Sequence, residues 1–184
     1  MTEPAPVHSR ILDAATQLFY ADGIRAVSAD KIIAAAGTTK VTFYRHFPTK
    51  EELVVAYLRE QSARFRARTA GLSPDPCTGL RQLAEAMGAE ACVPGFRGCP
   101  FINAAAEYPQ ASSPVRGAVD EHRRWFHALV SARVAALGAA APDRLADQLV
   151  MLRDGAMVHG YVADPAQVTA ALTAAGHAVI RSQV

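Results

Sequence analysis

The sequence predicts an all-α fold of about nine helices, and three observations carry that expectation. Alanine is the commonest residue, period-two runs of Val, Ile and Thr are absent, and the Gly and Pro residues separate long amphipathic segments rather than short ones. At 184 residues and 51% hydrophobic content, the chain is long enough to bury a core without disulfides or structural metal. It is too short for two large independent domains.

The elements follow in order. Pro4 and Pro6 precede a helix whose positions Ile11, Leu12, Ala15, Leu18 and Phe19 form one apolar stripe, and Gly23 ends it. Ser28 can cap a short second helix reaching about Ala36, with Val27 and Ile32 placed as a hydrophobic staple. Gly37 allows a sharp turn, Thr39 can cap a third helix through about Phe47, and Pro48 forbids simple continuation. Thr49-Lys50-Glu51-Glu52 reads as a capping box that launches a long fourth helix to about residue 68, with Leu53, Val54, Tyr57, Leu58 and Phe65 facing inward. The run Gly71-Leu72-Ser73-Pro74-Asp75-Pro76 breaks it. Further helices are expected at about 78–92, 100–108, 114–137, 142–162 and 165–181, and Pro100, Pro114, Pro142 and Pro165 stand at or near the first position of the last four.

Net charge is only +2, which by itself implies no polyanion partner. Its distribution says more: residues 1–68 hold ten Lys/Arg against seven Asp/Glu, and the rest hold nine against ten. All three lysines, Lys31, Lys40 and Lys50, lie within the first fifty residues. The cysteines Cys77, Cys92 and Cys99 are odd in number and lack CxxC spacing, which argues against a disulfide framework or zinc ribbon and suits a reducing cytoplasm. The N-terminus lacks a basic stretch leading into an apolar run, and no segment has the roughly 18 apolar residues of a membrane span. A cytoplasmic protein without membrane attachment is expected.

Three helices in the first half, with a tight Gly-containing turn between the second and third, describe a helix-turn-helix unit. In the third helix Phe43 and Phe47 lie four apart and can anchor it, leaving Thr39, Lys40, Val41, Thr42, Tyr44, Arg45 and His46 for other faces. Lys40 can reach guanine acceptors or phosphate, and Val41 or the Thr42 methyl can meet a thymine methyl. Tyr44, Lys50 and the helix N-terminus at Ser28 suit phosphate oxygens.

Residues 10–53 resemble the DNA-binding domain of the TetR family of bacterial transcriptional regulators. The resemblance rests on Arg10-Ile11-Leu12-Asp13-Ala14-Ala15, Leu18-Phe19, Gly23, Ile32, Ala36-Gly37, Thr42-Phe43-Tyr44-Arg45-His46-Phe47 and Lys50-Glu51-Glu52-Leu53. Val41 stands where the family often has a small residue and Thr38 where it often has an apolar one, so the bases read are expected to differ. The stretch Arg97–Pro109 also resembles the effector domain of one subgroup. The resemblance implies an N-terminal DNA-binding domain over residues 1–48 joined to a helical ligand-binding and dimerisation domain over 49–184, with helix 49–68 connecting them. It further implies a homodimer paired through the last two long helices, and release of double-stranded operator DNA by a small-molecule effector. The local sequence permits this: Leu145, Leu149, Leu152 and Ala156 make one stripe, while Val150, Met151, Met157 and Val158 add apolar surface outside it, and the final helix is rich in alanine.

For the effector pocket, the candidates are Met87, Phe101, Trp125, Phe126, Met151 and Met157 as apolar or thioether lining, with Asn103, His122 and Asp154 as directing groups. His122 and Asp154 could instead satisfy each other. Cys99, at a helix start beside Arg97, could act as a thiolate redox or electrophile sensor, an alternative to ligand control. A small thiol enzyme using Cys99 with His122 or His127 lacks any supporting motif, so no enzyme activity and no cofactor are expected. A metal sensor would need clustered ligands, whereas His8, His46, His122, His127, His159 and His177 are scattered.

Overall fold

The computed structural model describes residues 5–184, so Pro4 lies outside the described part. Among the described residues there are nine α-helices and no strand. They are α1 (Val7–Asp22), α2 (Ala29–Ala35), α3 (Lys40–His46), α4 (Lys50–Ala70), α5 (Pro76–Ala91), α6 (Pro100–Glu107), α7 (Pro114–Ala136), α8 (Pro142–Val162) and α9 (Val168–Arg181). The expected boundaries hold within about two residues, with two differences. Pro76 already serves α5 as its first residue behind the Asp75 cap, and Pro165–Gln167 forms a separate 3-10 turn capped by Asp164 before α9 begins.

The starts of α2, α3 and α4 are set by side chains. Ser28, Thr39 and Thr49 each accept a hydrogen bond from the backbone N–H three residues on, an arrangement worth about 1 kcal/mol per cap. At Thr49 the box closes differently from expectation, because the hydroxyl donates to the Glu52 carboxylate at 3.3 Å and the two side chains bond each other. Val27 and Ile32 are both fully buried, as a staple requires.

The first three helices close around Ile11, Ala15, Phe19, Ile32, Phe43 and Phe47, all buried. Arg10 reaches from α1 to donate to the carbonyls of Ala36 (2.9 and 3.1 Å) and Gly37, satisfying the open end of α2 and holding the turn into α3. Gly37 itself has φ +57°, a conformation that a side chain disfavours. α4 packs on α1 at one end and on α7 further along, so one continuous core runs through the molecule. α7 and α8 form an antiparallel pair, α9 lies against α5 and α8, and α6 bridges α4 and α7. No helix among the described residues is long and apolar enough to cross a membrane.

Candidate nucleic-acid interface and effector cavity

α3 is bolted down on one side and bare on the other. Phe43 and Phe47 enter the core, while Thr39, Lys40, Val41, Tyr44 and Arg45 are exposed, with Val41 80% accessible. Val41 is the second residue of α3, and a side chain so exposed there adds nothing to the core and is available to a partner. Among the described residues Lys40 and Arg45 form no ion pair, so their charges are available to an anionic partner. Thr42 is half-buried, its hydroxyl receiving a 3.0 Å bond from Thr39.

Two expected phosphate or base contacts sit differently. His46 is half-buried with its ring against that of His8 (5.9 Å between centroids), a packing role on α1. Lys50 is also half-buried: its ammonium donates to the Arg25 carbonyl (3.4 Å) and lies 6.0 Å from the Phe19 ring, and partial burial pushes its pKa down. Ser28 is exposed and is used as the α2 cap.

Away from α3, a cavity of about 480 Å³ opens between α5, α7, α8 and α9. Met87 and Phe126 line it, as the sequence suggests, together with Leu80, Leu83, Val130 and Leu149. Arg153 and Thr173 also contribute to the wall and were not anticipated. The available signal was an arginine four residues after Leu149 and eight after Leu145, on the inward stripe of α8.

The other candidate ligand residues lie elsewhere. Met151 is 72% exposed on the outer face of α8, which corrects its expected place in the cavity: position 151 falls on the face opposite the core stripe. Met157 is buried core. Asn103 donates to the Arg97 carbonyl at 2.8 Å and borders a smaller hollow between α1, α4 and α6. Asp154 bonds Arg123 (2.8 Å) and Arg153 (2.9 Å), so it and His122 do not satisfy each other.

His122 instead meets Ser62 of α4 through Nδ1 at 2.9 Å and stacks on Phe101, with ring centroids 3.6 Å apart and planes within 2°. Phe65 and Trp125 complete the cluster, and Arg66 lies over the Trp125 ring. Burial, followed by the charges of Arg153, Arg66 and Arg123, pushes the His122 pKa from 6.5 down to about 3. A depressed histidine keeps its neutral form in the fold, so its contribution to stability is complete above pH 6.5 and is lost as pH falls through 6.5 toward 3. Urea unfolding between about pH 7 and pH 5 is expected to show a loss approaching 1.4 kcal/mol per pH unit from this group, and His122→Gln should flatten that slope. Parallel slopes for the two proteins would contradict the assignment.

Cys99 is buried, only 4% exposed, and its sulfur accepts from Arg153 Nη1 at 3.3 Å instead of standing open at the start of α6. The thiol-sensing alternative therefore gains no support, since an oxidant lacks direct access to the sulfur. Two further ties were not foreseen. Glu107, at the end of α6, accepts from the backbone N–H groups of Ile24 (2.9 Å) and Arg25 (2.6 Å). Tyr20 of α1 donates to the Gly98 carbonyl (3.1 Å) and accepts from the Arg97 N–H (3.0 Å). Each contact ties a helix to a loop distant in sequence, and no local pattern announces it.

A helix-turn-helix unit whose third helix is bare on one side, packed against a helical body that holds an apolar cavity, is the build of a DNA-binding protein. The comparisons agree. The model of "Bacterial regulatory proteins, tetR family" matches residues 11–57. The solved structure of SCO4454, a TetR-family transcriptional regulator from Streptomyces coelicolor, superposes with a TM-score of 0.92 at 39% identity, covering 96% of this chain and 95% of that one. A putative TetR-type regulator, sav143 from Streptomyces avermitilis, gives 0.84 at 28% identity over 95% and 98% of the two chains. The HTH-type transcriptional regulator LmrA of Bacillus subtilis is 30% identical over 122 residues, a match spanning 63% of this chain and 65% of LmrA. The chain belongs to the TetR family of bacterial transcriptional regulators.

Proposed function

We propose that the protein is a cytoplasmic homodimeric repressor that binds an inverted-repeat operator and leaves it when a small molecule fills the cavity between α5, α7, α8 and α9. The observation that carries the DNA-binding part is the solvent-facing side of α3, where Lys40, Val41, Tyr44 and Arg45 are exposed around a helix pinned by two buried phenylalanines. In this reading residues 1–48 are the reading head and residues 49–184 the sensing and pairing body. A two-fold dimer presents two such helices about one turn of DNA apart or more, and a symmetric pair of half-sites follows.

Pairing is supported by the outer faces of the last two helices. Met151, Val158 and Val162 are exposed along α8, and Ala170, Ala171, Ala174 and Ala178 along α9. Large apolar groups beside small ones suit the close approach of a second copy. Sedimentation at micromolar concentration should give a dimer, and a stable monomer of the 19.6 kDa chain mass would contradict it.

Ligand control requires only that the effector bind the non-DNA-binding arrangement better. α4 connects head and body directly, and α6 offers a second route. Its start holds Cys99 against Arg153 at the cavity, and its end holds Glu107 on the loop before α2. The DNA test is fluorescence anisotropy on the intergenic DNA beside the protein's own coding region, with salt varied. Affinity should fall steeply with salt, Tyr44→Phe should weaken all sequences alike, and Lys40→Ala should change the order of preference among operator variants. Unchanged binding by both variants would reject α3 as the reading helix.

A further inference from the structure

Three arginines, Arg81, Arg153 and Arg181, contribute to the cavity wall, and no Asp or Glu side chain does. Arg81 is matched outside the wall by Glu85. Arg153 is not fully matched, because Asp154, its one carboxylate, also serves Arg123 at 2.8 Å. Two guanidinium groups thus share a single anion, and the Arg153 side chain is only 12% exposed.

The same wall carries two stranded polar atoms. Arg153 Nε and Thr173 Oγ1 are buried and have no hydrogen-bond partner within the chain. Leaving such donors unpaired is costly, and a guanidinium N–H is best satisfied by an anionic oxygen. Around them the surface is hydrocarbon: Leu80, Leu83, Met87, Val130, Leu172 and Ile180. The cavity of about 480 Å³ is of a size that encloses a small organic molecule.

We infer that the effector is an amphiphilic monoanion, an apolar body carrying one carboxylate head that is received by Arg153. This rests on the reading of the cavity as the effector site and specifies its chemistry. A cation would meet the surplus positive charge of Arg123 and Arg153. A neutral apolar molecule would leave the Arg153 guanidinium short of an anionic partner. A highly charged anion would have to lose its water against a mostly aliphatic wall, with too few donors to replace it.

The test is isothermal titration of the full chain, without DNA, with decanoate and decyltrimethylammonium kept below their micelle concentrations and decanol below its solubility limit. Decanoate should bind at least about tenfold more tightly than decanol, and the cation more weakly than either, as expected for one charge-assisted contact. Arg153→Met should reduce decanoate to the level of decanol, and Arg153→Lys should keep part of the preference.

Because Arg153→Met could disturb folding, Gly176→Leu supplies a second route. A Cβ at Gly176 would stand 3.8 Å from Leu149 Cδ2, an ordinary contact, so a longer side chain grows into the cavity while the helix gains a better helix former. This variant should fold and lose decanoate binding. The inference is overturned if decanoate gives no binding heat or binds no better than decanol, if folded Arg153→Met retains the preference, or if Gly176→Leu binds decanoate unchanged. None of these outcomes touches the DNA-binding reading, which fails separately if the chain ignores its operator.

Discussion

Val41→Glu is expected to lower operator affinity by about a hundredfold or more, equivalent to roughly 3 kcal/mol, while leaving the fold intact. Val41 is 80% exposed near the start of α3 and contributes nothing to the core, so its replacement removes no buried contact. Surface changes of this kind stay within about 0.5 kcal/mol of wild-type stability, and glutamate has a somewhat better helix propensity than valine. Against DNA the same change places a carboxylate among phosphates and acceptor-rich base edges, where like charge and lost hydration both oppose binding. Anisotropy with operator DNA and a thermal melt of the free protein measure the two quantities separately. A variant that melts normally and still binds operator within about threefold of wild type would show that α3 does not face the groove.

Gly88→Val is expected to destabilise the protein by about 3 kcal/mol, at the upper end for overpacking a closed core, and to weaken pairing with a second copy. A Cβ at Gly88 would come within 2.9 Å of Thr169 Cα, so the first turn of α9 would have to move off α5. Rotation of the Thr169 side chain cannot relieve that contact, because the Cα belongs to the backbone. Nearby, Gly160 allows an equally close approach, where a Cβ would meet Ala91 Cβ at 2.8 Å and Val168 Cγ2 at 3.2 Å. The small residues therefore set how closely α5, α8 and α9 pack, and with it the attitude of the exposed alanine face of α9. Urea unfolding measures the stability change, and sedimentation measures the pairing. A loss below about 1 kcal/mol with the dimer intact would mean that α9 tolerates the displacement.

The helical plan could be read along the chain because its determinants are local. Caps such as Ser28, Thr39 and Thr49 act on N–H groups three residues away, and the positive φ at Gly23 and Gly37 is a property of the residue itself. Stripes such as Ile11, Ala15 and Phe19 declare an inward face without stating what they meet. The outward set on α3 follows the same logic, since fixing Phe43 and Phe47 inside leaves Lys40, Val41, Tyr44 and Arg45 outside.

The cavity was less accessible to that kind of reading. Met87 and Phe126 are large side chains on inward helical faces and line it, yet Phe101 and His122 carry similar signals and fill space against each other. Met151 carries the same side chain as Met87 and stands on the opposite side of its helix from the core. An apolar residue advertises burial or association, and only its neighbours distinguish a wall from a filling.

Local chemistry along the chain was enough to determine the helices, their ends, the helix-turn-helix unit and the outward face of its third helix. Assembly in three dimensions decided where empty space remained, that Arg153 and Thr173 border it with unpaired polar atoms, that Lys50 is drawn back onto the Arg25 carbonyl, and that Glu107 clamps a loop more than eighty residues away. The physical reason is range. Capping and periodicity act over three or four residues, whereas a cavity and the charge around it arise from helices whose spacing in sequence says nothing of their distance in space.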